Sequence, residues 1–182
     1  MGTIARCELP DGALLQSYAA KGAYTDFFAA EVAARVSLAS YVEAFYTSAA
    51  FRPERLVLAL IGKASNDADV RRLARDDART FAAWNVEARA PDQILLCDFL
   101  SRTRSWLMVE QTAGEGSRLY FGSAVVPVGM GSGRARLGFP FNAMVPFHQF
   151  YSRVLLSGAR GRVLRLAAAG VRRSRQTNDR AQ

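Results

Sequence analysis

The sequence predicts an α+β fold. Helices come first, a curved antiparallel sheet of about five strands follows, and a helix at the C-terminal end packs on that sheet. Three observations carry this. Apolar residues recur at helical spacing between residues 38 and 80. From Phe81 the period changes to two, in segments rich in aromatic and aliphatic residues and split by turn signals. After a glycine-rich stretch a helical pattern returns near Pro146.

Residues 1–23 read as a loose arm with one short helix at "GALLQSYAA". "YTDFFAAEVAARV", residues 24–36, opens with aromatics that suit a strand. Ser37 is placed as an N-cap, with Leu38, Tyr41, Val42 and Phe45 on one helical face. A second helix starts at Pro53, which suits a first turn, and runs to Gly62. Its apolar residues cover every side, which predicts burial. A third follows Asn66, with acids in the first turn and Val70, Leu73 and Ala74 inward. The charged run "DADVRRLARDD" reads as its solvated face.

The strands "FAAWNVEAR", "QILLCDF", "RSWLMVEQ" and "RLYFGSAVVPV" are separated by "APD", "LSRT" and "TAGEGS". They form a meander. Centring each turn sets Trp84 opposite Phe99, Val86 opposite Cys97, Phe99 opposite Arg104, Trp106 opposite Ser123 and Met108 opposite Phe121. One face then gathers Trp84, Val86, Ala88, Leu95, Cys97, Phe99, Trp106, Met108, Leu119, Phe121 and Val125, and is expected to be the core. Asn85, Glu87, Arg89, Asp98, Ser105 and Tyr120 fall on the other.

"CDFLSRTRSWLMVE" places two arginines among these strands. Arg102 lies in the turn and is expected in solvent. Arg104 falls on the core face, two residues from Trp106. Either it snorkels to the rim of the sheet or it awaits an anion, since a charge beside so much apolar surface is costly unless paired.

"GMGSGRARLG" is a loop and not a dinucleotide fingerprint, because Arg134 stands where the third glycine belongs. The helix in "PFNAMVPFHQFYSRVLLSG" would turn Phe147, Phe150, Tyr151, Val154 and Leu155 inward. Continued past Gly158 and Gly161, that face would meet Arg162 and Arg165, so a break is expected between the glycines. Residues 24–161 thus make one domain, and 162–182 a basic amphipathic tail with Arg162, Arg165, Arg172 and Arg173 on one side.

Composition narrows the function. Half of the 182 residues are hydrophobic and 22% are charged, as in globular proteins. The net charge is +8, yet from Arg153 onward eight arginines meet one acid, Asp179, so basicity belongs to the C-terminus. No specific nucleic-acid binding is expected, and the tail could rest weakly on an anionic membrane or an acidic partner. Cys7 and Cys97 lie far apart with no paired framework, which favours a reducing cytoplasm. A single histidine, His148, argues against a multi-histidine metal site. No serine-hydrolase elbow or phosphate-binding glycine–lysine pair is present. No cofactor is expected.

The order strand, two helices, antiparallel strands, long aromatic helix resembles the helix-grip fold of the START-like (SRPBCC) superfamily. The likeness is nearest to a bacterial branch of unknown function whose members can follow NAD-binding epimerase-like domains. It rests on "WNVEARAPDQILLCDF", "RTRSWLMVEQ", "SRLYFGSAVVP" and "PFHQFYSRVLLSGARGR", with weaker support at "AYTDFF" and "VEAFYTSAAFR". The family's usual early strand pair is not evident; the Asn66–Thr80 helix stands where it might be. The resemblance implies a pocket between sheet and C-terminal helix for a hydrophobic or amphipathic ligand. Trp84, Phe99, Trp106, Phe121, Ser123, His148 and Tyr151 would line it, and Arg104 would pair an acid group at its mouth. Two alternatives stay open. One is a cyclase- or dehydratase-type enzyme using His148 with Tyr151 or Asp98. The other is an interaction module docking through the basic end. An aromatic face with one cation and no evident acid–base pair favours binding over turnover.

Overall fold

A computed structural model describes residues 3–126 and 139–179, with the side chains of 139–147 and 170–179 outside the description. The elements run β1 (Ala5–Arg6), α1 (Gln16–Ala20), β2 (Tyr24–Val32), α2 (Leu38–Tyr46), α3 (Arg52–Leu60), α4 (Asp67–Ala74), β3 (Thr80–Phe81), β4 (Trp84–Ala90), β5 (Gln93–Asp98), β6 (Thr103–Gln111), β7 (Ser117–Val125) and α5 (Phe139–Asp179). The architecture is α+β, with one antiparallel sheet of seven strands in the order β1-β2-β7-β6-β5-β4-β3. The count exceeds the expected five by two-residue pairings at each edge, β1 and β3.

The caps form as their sequences require. Ser37 accepts a bond from the Ser40 amide, and Asn66 accepts from Ala68 and Asp69 while Asp69 returns to the Asn66 amide. Arg89 then closes the far end of α4, donating to the carbonyls of Leu73 and Ala74. Tyr41, Val42 and Phe45 are buried. The α2 tyrosines also tie the helix to the sheet, Tyr41 Oη to the Tyr120 carbonyl and Tyr46 Oη to Ser105 Oγ, each at 3.0 Å.

Both faces of the sheet are covered. Phe28, Ala30, Val32, Ile94, Leu96, Leu107, Val109, Leu119 and Phe121 pack with α2, α4 and α5. Ala29, Leu95, Trp106, Met108, Tyr120 and Ala124 pack with Ala13, Leu15 and Ala23 of the N-terminal arm, with Leu14 and Tyr18 at its margin. The arm is therefore a second core layer and not loose.

The meander has the expected order but a different register. Gln111 pairs Ser117 around Gly114 (φ 79°), which puts Trp106 opposite Gly122 and Met108 opposite Tyr120. The β5–β6 turn is centred one residue earlier than expected, between Leu100 and Ser101, where the Asp98 carboxylate takes the amides of Arg102 and Thr103. Cys97 therefore faces Arg104 and Leu95 faces Trp106. In β4 the Ala88–Leu95 pairing is the one implied by the turn at Pro91-Asp92. A bulge between Val86 and Ala88 then shifts the rest, so Trp84 meets Asp98 and Val86 meets Leu96. In β6 the inward phase is thus Ser105, Leu107 and Val109, and Trp106 points away from α5 while Phe121 faces it.

Two further expectations are corrected. No residue of α3 is buried, and Leu56, Val57, Leu60 and the adjoining Ile61 stand in solvent. α5 is continuous through Gly158 and Gly161. A side chain at Gly158 would start 2.8 Å from Ala50 Cβ, so this glycine serves close packing and not a break. The α5 residues that turn inward are Ser152, Leu155, Leu156, Ala159 and Val163, while Phe150 and Val154 are exposed. No described helix is long and apolar enough to cross a membrane.

Candidate functional site

Between the sheet and helices α2, α3 and α5 lies a cavity of about 290 Å³. Phe45 and Phe51 close one side, Leu58 of α3 another, Trp84 and Phe121 rise from the sheet, and Leu155 comes from α5. These walls are apolar, and two polar clusters interrupt them.

The first cluster centres on Asp26, which is fully buried. Position 26 is in phase with Phe28, Ala30 and Val32, so β2 points the carboxylate inward. Ser123 Oγ donates to Asp26 Oδ1 at 2.5 Å, and Ser152 Oγ donates to Oδ2 at 3.1 Å. His148 Nε2 lies 2.7 Å from Ser123 Oγ and 3.7 Å from Asp26 Oδ1. A hydroxyl has one proton to give. Since Ser123 gives it to Asp26, His148 Nε2 must donate to Ser123. That direction is the reverse of a serine nucleophile served by a histidine base. The imidazole is further set by an edge-to-face contact with Tyr24, which accepts from Gln149 Nε2.

The second cluster joins α3 to α5. Tyr151 Oη donates to Glu54 Oε2 at 2.9 Å. Burial pushes the Glu54 carboxyl above its usual range, with the Tyr151 bond and the nearby Trp84 indole working against the rise. The Tyr151 phenol is pushed up as well, by burial first and then by the Glu54 charge. The Trp84 Nε1–H lies near Glu54 but outside hydrogen-bond geometry, and it is buried without a partner among the described residues.

Seven of the eight expected lining residues meet here: Trp84, Phe99, Arg104, Phe121, Ser123, His148 and Tyr151. Phe99 forms the rim, 46% exposed, with Lys63 Nζ over its ring. Trp106 is elsewhere, fully buried under the arm with its Nε1 donating to Gln93. Arg104 contributes to the wall, but its guanidinium leaves through the other face. There Nε donates to Glu87 at 2.7 Å and to Tyr18 Oη, Nη1 donates to the Ser101 carbonyl, and the group lies over the Tyr18 ring. The slip in register is the reason: position 104 shares its face with Trp106, so its charge meets a carboxylate of the same sheet. Asp98, expected on the far face, stands at the cavity rim. Arg102 is exposed in its turn, as expected.

Asp26, Glu54 and Ser152 were not anticipated. Asp26 had a signal, a carboxylate in the inward phase of an otherwise apolar strand. Ser152 and His148 are the polar members of α5's inward face, and they disguised that face in the sequence. Of the basic positions, Arg162 is half-buried and its charge joins that of Arg55 in lowering the Asp67 carboxyl, while Arg165 is exposed. The side chains of Arg172 and Arg173, and the loop around Arg134, lie outside the described residues.

No protein-family model matches this chain, and no curated protein matches it. Among solved structures it is similar to the crystal structure of CalU16 from Micromonospora echinospora, at 11% identity and a TM-score of 0.29, over 93% of this chain and 96% of that one. The chain's own layout, an antiparallel sheet packed on a long C-terminal helix, is consistent with a helix-grip fold.

Proposed function

We propose that this protein is a START-like binder of a small hydrophobic or amphipathic molecule, held between the sheet and α5. The observation that carries the reading is the cavity: about 290 Å³ of space with aromatic and aliphatic walls and a few fixed polar groups. At water's share of about 30 Å³, that is room for roughly ten water-sized groups. The helix-grip layout supports the same reading, and so do the sequence segments that resemble the superfamily. Cys7 and Cys97 are free thiols, which suits a reducing cytoplasm.

Native mass spectrometry of the freshly purified protein tests the reading, together with titration of the uncharged apolar fluorophore N-phenyl-1-naphthylamine. A co-purifying mass or saturable fluorophore binding is expected, and Leu58→Trp, which fills the cavity from the half-buried side of α3, should abolish it. Binding unchanged in that variant would remove the cavity from the function.

A second reading has one observation in its favour. His148, Tyr151 and Glu54 line the same cavity, as an acid–base enzyme of cyclase or dehydratase type would need. Binding ranks first because the Ser123 and Tyr151 hydroxyl protons already point to Asp26 and Glu54.

A further inference from the structure

Two carboxyls belong to the cavity wall, Glu54 and Asp98, with Asp26 buried behind Ser123 and Ser152, whereas the guanidinium of Arg104 is spent on Glu87 across the sheet. A ligand carboxylate would meet like charges in a poorly hydrated space. Beside Glu54 the Trp84 indole offers a buried N–H that no group among the described residues accepts. Such donors are rare in folded proteins and costly to leave unmet. Glu54 uses Oε2 for Tyr151, and a carboxylate has lone pairs to spare.

Resting on the binding reading above, we infer that the ligand carries a neutral hydroxyl seated between Glu54 and Trp84. It donates to the Glu54 carboxyl and accepts from Trp84 Nε1. A hydroxyl is both donor and acceptor, which is what this pair of groups lacks. An ammonium would satisfy Glu54 and leave the indole N–H unmet. A carboxylate would satisfy the indole and be repelled by Glu54. The rest of the molecule is an apolar body lying against Phe45, Phe51, Phe121 and Leu155.

Three probes of equal chain length separate these cases: 1-octanol, octanoate and octylamine, titrated by calorimetry near neutral pH. The alcohol should bind at least about tenfold tighter than the acid and tighter than the amine. Trp84→Phe should weaken the alcohol several-fold by removing the donor while keeping the ring. Glu54→Gln should bring octanoate closer to octanol by removing the like charge. Octanoate or octylamine binding as well as octanol would overturn the hydroxyl site and leave the cavity reading standing. The same result follows if both variants keep the wild-type preference. If none of the three probes binds wild type, the cavity reading falls and this inference falls with it.

Discussion

The two faces of the sheet are built from the same strands and finished differently. On the arm side, Leu15, Trp106 and Gly122 meet without a gap. A Cβ at Gly122 would stand 2.8 Å from Leu15 Cδ2 and 2.9 Å from the Trp106 ring. Charge on that side is cancelled locally, Arg104 by Glu87. On the helix side the aromatic walls stop short of one another, a cavity remains, and the charges near it are carboxylates with hydroxyl partners. A face that only needs stability is packed to density. A face that keeps space and unpaired polarity gives up part of that stabilisation. The contrast is what the proposed binding site on the α5 side requires.

The largest test of this contrast compares the two tryptophans in ligand-free protein. Trp106→Ala removes a fully buried ring and its bond to Gln93, and should cost about 3–5 kcal/mol in urea unfolding. Trp84→Ala, at the edge of existing space, should cost about half of that or less. Equal losses would mean that the cavity face is as tightly packed as the other.

Adding volume should show the same asymmetry at a smaller scale. Gly122→Ala forces a methyl against Leu15, Trp106 and the Asp26 carbonyl, and is expected to cost about 1–3 kcal/mol. Leu58→Trp, which grows into the cavity, should stay within about 0.5 kcal/mol of wild type. A Gly122→Ala protein as stable as wild type would show slack under the arm.

The smallest effect is a pH dependence confined to the cavity face. Burial raises the folded-state pKa of Glu54 above its ordinary 4.5, so between those values the folded protein holds a proton that the unfolded chain has released. Wild type should therefore lose stability relative to Glu54→Gln as pH rises past 4.5, with no further loss above the raised value. Urea midpoints of the two proteins measured from acid to neutral pH check this. Parallel curves would mean that Glu54 is solvated in the folded state.

How far the sequence could be read depends on which physical signal each element carries. Local signals were dependable: Ser37 and Asn66 cap the helices assigned to them, and the four long meander strands occur in order. Register was not, and the reason is specific. Segregating polar from apolar residues selects a register only when one face meets water. Here the arm covers one face and the helices cover the other, so Trp106 and Met108 are as well buried on the arm side as they would have been on the α5 side. The β4 bulge and the Asp98-capped turn then changed the count at points where no sequence pattern marks them. Arg104 was assigned to the wrong cover for the same reason. At α5, the inward polar residues His148 and Ser152 made the solvent-facing Phe150 and Val154 look like the core stripe. The site was hardest to read where polar groups replace core residues.

Gln93 has a consequence for how the chain is made. Its side chain accepts from Trp106 Nε1, 13 positions away, and from the Leu14 amide, 79 positions away, and donates to the Gly12 carbonyl, 81 positions away. None of these bonds can exist until the ribosome has passed Gln93, and the arm's packing against Trp106 waits longer still. Leu9, Ala13, Leu14 and Leu15 are therefore a temporarily homeless apolar segment during synthesis. The same residues that seal the finished sheet are the ones a nascent chain has to keep from its neighbours.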